Sequence, residues 1–103
     1  MSGKGKLRRL VSEERLEKIG MRIRILRKNK GLTIEQLASK LGVTKQYIAS
    51  CESNLGLITV PSLMAIADAL DVSPNVILGY DDRFDAYVEE LEAVENKYRN
   101  MNW

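Results

Sequence analysis

Histidine is absent from all 103 residues, and cysteine occurs once, as Cys51. Those two shortages exclude an internal disulfide and nearly every zinc-site spacing, because structural zinc is held by sets of cysteine and histidine. Neither a metal nor a cofactor is expected, and Cys51 reads as a small core residue. A glycine-rich phosphate loop is missing, as is an acidic pair with converging neighbours, two of the arrangements that mark an active site. The carboxylates read as surface and cap residues, and an enzyme is not expected. No apolar run approaches the length of a bilayer span, and the basic start MSGKGKLRRL has no apolar centre of the kind a signal peptide needs. A cytoplasmic chain without membrane contact is the expectation.

Net charge is small, +2, but unevenly spread. Residues 1–50 carry 13 basic and 4 acidic side chains, net +9, whereas residues 51–103 carry 3 and 10, net −7. A basic front and an acidic back suit a molecule that turns one side toward a polyanion and is repelled on the other. The plainer alternative is a solvated basic helix and an acidic tail. A chain this short buries enough surface to fold alone only if its helices share one core.

The densest patterning lies in residues 33–53, TIEQLASKLGVTKQYIASCES. Leu37, Ala38 and Leu41 form an apolar stripe at helical spacing, Val43 bridges a turn, and Ile48 and Cys51 form a second stripe. Ala38 is small where a second helix must cross closely, and Gly42 stands where a first helix must end with a left-handed residue. Thr33 and Thr44 are placed to cap, and Gln36, three residues after Thr33, completes a capping-box pattern. The segment therefore predicts two short helices with a sharp corner.

The residues Leu37-Ala38, Leu41-Gly42-Val43-Thr44, Ile48 and Glu52 resemble the helix-turn-helix of the Cro and phage-repressor regulators, the xenobiotic-response-element type. IGMRIRILRKNK, residues 19–30, is similar to that family's first helix, and PSLMAIADALDVSPNVILGY, residues 61–80, to its fourth and fifth. The resemblance implies an all-α, five-helix lambda-repressor-like domain whose third helix enters the major groove of double-stranded DNA. It also implies that Arg27 and Glu52 form a largely buried ion pair fixing that helix. On the residues alone, Arg27 could instead join Arg22, Arg24, Lys28 and Lys30 in a solvated basic face.

If the second helix of the motif enters the groove, its pattern leaves Lys45, Gln46, Ala49 and Ser50 outside as base readers. A Gln46 amide pairs with N6 and N7 of adenine, a Lys45 ammonium donates to O6 or N7 of guanine, Ser50 donates or accepts, and Ala49 meets a thymine methyl. Phosphate contacts are expected from Thr33, Lys40, Thr44, Tyr47 and Ser53, and from the amides at the start of the preceding helix. Two departures stand out. Ile34 sits where the family often has a phosphate-binding Gln, and the loop SNLGLITV after Glu52 carries no lysine or arginine.

The flanks complete the expected organisation. Residues 1–11 predict a basic arm, serving either phosphates or a minor groove, or solubility alone. Residues 12–80 predict the domain: Ser12 caps a helix with Leu16, Ile19, Ile23 and Leu26 on one face until Gly31 ends it. Pro61 opens a helix with Leu63, Ile66, Ala67 and Leu70 inward, and Ser73-Pro74 opens another ending at Gly79. Leu55, Leu57, Ile58 and Val60 face either a second subunit or their own core.

Residues 81–103 predict an additional C-terminal amphipathic helix in which Phe84, Tyr87, Leu91, Val94, Tyr98 and Met101 step by 3, 4, 3, 4, 3. That heptad rhythm suits pairing with a second chain, or a helix folded back on its own domain. Leu57, Ile58, Tyr87, Leu91, Val94 and Tyr98 are thus the expected dimer contacts. A homodimer repressing from a palindromic operator is the leading expectation. The alternative is an antitoxin or adaptor-type interaction module with weak DNA binding, whose C-terminal helix takes a second protein.

Overall fold

The computed structural model describes residues 10–53 and 58–80, and Ala93. Five helices in this order make up its regular structure: α1 (Glu13–Asn29), α2 (Ile34–Leu41), α3 (Lys45–Glu52), α4 (Val60–Leu70) and α5 (Pro74–Leu78). The domain is all-α and lambda-repressor-like, with no strand among the described residues. The expected arm and C-terminal helix lie outside the described residues, apart from the exposed Leu10, the half-buried Val11 and the helical Ala93.

Each helix starts where a short polar side chain replaces a missing backbone acceptor. The Ser12 hydroxyl accepts from Arg15 N at 3.2 Å, and Glu13 and Glu14 occupy the positive end of α1. In α2 the reciprocal box is complete, Gln36 N donating to Thr33 Oγ1 at 3.0 Å and Thr33 N to Gln36 Oε1 at 2.8 Å. Thr44 caps α3 by accepting from Tyr47 N at 3.0 Å. Thr59 caps α4, which begins at Val60, and Pro61 lies in its first turn as expected. Gly42 ends α2 at φ 69°, a conformation a side chain would resist, and so turns the chain sharply into α3.

The core is one cluster. Ile23 and Leu26 of α1, Leu37 and Ala38 of α2, Ile48 of α3, Leu63, Ile66, Ala67 and Leu70 of α4, and Val76 and Ile77 of α5 are all buried together. Burial of each large side chain in this set contributes about 1.5–3 kcal/mol. Ile19, Leu41, Cys51 and Ile58 are half-buried around it, and Leu16 is half-buried further along α1. Val43 closes the turn by donating its N–H to Ala38 O at 3.0 Å, and its side chain is 38% exposed. Helix α3 packs on both α1 and α2, while α4 and α5 close the far side of α1 and α2.

Candidate nucleic-acid interface

The position of α3 is fixed at both ends. In its first half, Ile48 is fully buried in the shared core, and the half-buried Tyr47 donates its hydroxyl to Ser62 Oγ at 2.5 Å, tying α3 to the first turn of α4. At its end, Arg27 Nε donates to Glu52 Oε2 at 2.6 Å and Arg27 Nη2 to Glu52 Oε1 at 3.1 Å, with both side chains about 95% buried. Arg27 Nη1 also donates to Leu32 O at 2.7 Å. One guanidinium thus joins the end of α1, the turn before α2 and the last residue of α3, in the bidentate geometry that makes arginine hard to replace.

A further constraint is Gly20. A Cβ there would lie 2.5 Å from Glu52 O and 2.8 Å from Cys51 O, so the α1 and α3 backbones cross too closely for any side chain at that point. Sequence reasoning passed over it. An isolated glycine in the middle of a helical pattern was the available signal, since it costs helix stability unless close packing repays it. Burial pushes the half-buried Cys51 thiol up, with the nearby Tyr47 side chain opposing and Glu52 adding to the rise. The thiol stays neutral at pH 7 and serves as a small apolar contact.

What α3 leaves outside is a compact polar surface. Lys45, Gln46, Ala49 and Ser50 are exposed, while Ile48 between them is buried. Among the expected phosphate contacts, Thr33, Lys40, Thr44 and Ser53 are exposed, although the Thr33 and Thr44 hydroxyls already accept the cap bonds and Ser53 Oγ donates to Ser50 O at 3.2 Å. The half-buried Tyr47 places its hydroxyl against Ser62 Oγ. Ile34 is half-buried against the core. Ile58 likewise packs partly on its own core, and Leu57, Tyr87, Leu91, Val94 and Tyr98 lie outside the described residues. Lys45 has a partner that the sequence did not suggest: its Nζ lies 3.1 Å from Glu35 Oε1, at the start of α2.

A short helix clamped at both ends, preceded by a glycine turn and showing a small polar face, defines a helix-turn-helix DNA-binding module. Comparison with known proteins agrees. A helix-turn-helix family profile matches residues 23–77. The HTH-type transcriptional regulator SinR of Bacillus subtilis (strain 168) is 39% identical, over 71% of this chain and 72% of its own. The uncharacterized HTH-type transcriptional regulator YobD of the same organism is 40% identical, over 72% of this chain and 66% of its own. The immunity repressor protein of Bacillus phage phi105 is 30% identical, over 77% and 55%. No solved structure gives a significant match.

The chain belongs to the helix-turn-helix family of the Cro/C1, xenobiotic-response-element type, the DNA-binding transcriptional regulators. No helix among the described residues is long and apolar enough to cross a membrane, and no group of acidic, cysteine or histidine side chains among them could hold a metal ion.

Proposed function

We propose that the protein is a sequence-specific repressor that binds a palindromic operator as a homodimer, laying α3 in the major groove of each half-site. The observation that carries this reading is the combination of a buried Ile48 and an ion-paired Glu52 beneath an exposed row of Lys45, Gln46, Ala49 and Ser50. Rigid support under a polar face is what base readout requires, because a hydrogen bond to a base edge discriminates only if the donor cannot shift to another. Gln46 reads adenine through N6 and N7, and Lys45 reads guanine.

Thr33, Lys40, Thr44 and Ser53 lie where the backbone of the duplex passes, with the amides of the first turn of α2 aimed at a phosphate. Tyr47 contributes by packing against α4 instead. A single α3 touches few base pairs, and two copies about 34 Å apart double the contacts on a symmetric site. Repression is favoured over activation by the likeness to a phage immunity repressor. The protein then works in the cytoplasm, with its DNA.

Selection of bound sequences from random duplexes at physiological salt tests the reading. It should enrich an inverted repeat with half-site centres one helical turn apart; a pool that stays random would refute sequence-specific binding. Gln46→Ala should then cost about 1–3 kcal/mol on the enriched site and little on random DNA. Equal loss on both would remove Gln46 from the readout.

A further inference from the structure

Helices α1, α3, α4 and α5 border an apolar groove of about 300 Å³. Leu16 and Ile19 of α1, Cys51 of α3, Ile58 just before α4, Leu63 of α4 and Leu78 of α5 form its walls, and among the described residues no charged side chain lines it. Water in such a groove finds few polar partners, so an apolar occupant is favoured. Because Cys51 belongs to α3, whatever fills the groove bears directly on that helix.

The chain leaves the domain at the rim of this groove. Leu78 is in the wall, Gly79 turns the backbone at φ 82°, and Tyr80 comes back to α1, its hydroxyl 3.0 Å from Arg15 Nη2 and its ring centre 5.5 Å from the guanidinium carbon. Arg15 directly precedes Leu16, so the exit is pinned beside that wall. Next in the chain comes Phe84, the one phenylalanine, and then Val88. At helical spacing these two share a face, beside the Tyr87, Leu91, Val94 and Tyr98 seam and not within it. Charge is complementary as well: residues 81–92 carry six acidic side chains and one basic, whereas residues 15–24 of α1 carry four basic and one acidic.

We propose that the groove is the docking site of the chain's own residues 81–92, with Phe84 and Val88 as the side chains that fill it. A dry cavity of about 150 Å³ takes up benzene, so the space here suffices for a benzyl and an isopropyl group together. The four residues from Tyr80 to Phe84 span at most about 14 Å, which keeps Phe84 close to the rim where the chain emerges. So short a tether gives an effective concentration in the millimolar range, and a modest apolar contact is then enough to hold the segment. The seam from Tyr87 to Tyr98 stays available to a second copy.

Cys51, the only cysteine and part of the groove wall, reports whether the groove is occupied. The rate at which iodoacetamide alkylates it is compared between the full chain and the full-length double variant Phe84→Ser, Val88→Ser, with circular dichroism verifying that both are folded. Emptying the groove should speed alkylation about tenfold, less than the full worth of burying two apolar side chains. Protection in the unsubstituted chain should be the same from about 1 µM to about 100 µM, because docking within one chain does not depend on concentration. Equal rates in the two proteins would overturn the proposal. So would protection that grows with concentration, which would assign the groove to a second copy. If the double variant loses its helical signal, nuclear Overhauser contacts in the unsubstituted chain decide: contacts between the Phe84 ring and the methyl groups of Ile19 or Leu63 support docking, and their absence overturns it. No DNA enters the experiment, so its outcome is separate from that of the operator selection.

Discussion

At the scale of single residues, Arg27 and Glu52 carry more structural weight than any other polar pair in the described chain. Both are nearly fully buried, and the guanidinium satisfies a carboxylate and a backbone carbonyl at once. Desolvating two charges consumes much of what their attraction returns, so the intact pair adds little net stability. Removing one partner is a different matter. Glu52→Ala strands a buried cation and should cost about 3–5 kcal/mol in urea unfolding, a large share of the roughly 5–15 kcal/mol that holds a domain together. Replacing Arg27 and Glu52 together by Met and Leu should recover most of that loss, because no orphaned charge remains. A single-site loss under about 1 kcal/mol would mean that the pair is solvated and does not hold α3.

At the scale of elements, the helices were legible wherever local chemistry decides them. Ser12, Thr33 with Gln36, Thr44 and Ser73-Pro74 mark starts, and Gly31, Gly42 and Gly79 mark ends; each acts within four residues of itself. The end of α4 was harder to read, since Asp71 takes the left-handed conformation at φ 58° without a glycine to announce it. Contacts made through the fold were legible only where the family resemblance supplied them, as for Arg27 and Glu52. The Lys45–Glu35 pair is ten residues apart and fits no helical spacing, and Tyr47 meets Ser62 fifteen residues on. Only the assembled corner brings them together.

The crossing of α1 and α3 at Gly20 belongs to the same scale. Alanine in mid-helix is favoured over glycine by roughly 0.5–1 kcal/mol, so a free surface would welcome Gly20→Ala. Here the new methyl meets the backbone carbonyls of Cys51 and Glu52, which cannot rotate away as a side chain would. Overpacking of this kind costs about 1–3 kcal/mol, enough to outweigh the gain. Gly20→Ala should therefore lower stability by about 1–2 kcal/mol. It should also weaken operator binding more than random-duplex binding, because the separation of the helices carries the proposed reading face with it. Raised thermal stability with unchanged operator affinity would show that α3 does not depend on that crossing.

At the scale of the whole molecule, charge and core are divided along the chain. The half with net +9 contains α1, α2 and most of α3, whereas the half with net −7 follows. Among the described residues, the buried core cluster lies between Ile23 and Ile77. A chain ending at Tyr80 should therefore keep its cooperative unfolding, since the five helices and their common core remain. If residues 81–103 pair two copies, as their heptad rhythm proposes, the same truncation should sediment as a monomer at micromolar concentration while the full chain sediments as a dimer. Linked half-sites bind about a hundredfold to ten-thousandfold more tightly than separate ones, so operator affinity should fall within that range even though every side chain proposed to read bases is intact. A truncated chain that stays dimeric would move the dimer contact to the domain itself, where Ile58 and the neighbouring exposed Val60 and Met64 are the first residues to substitute.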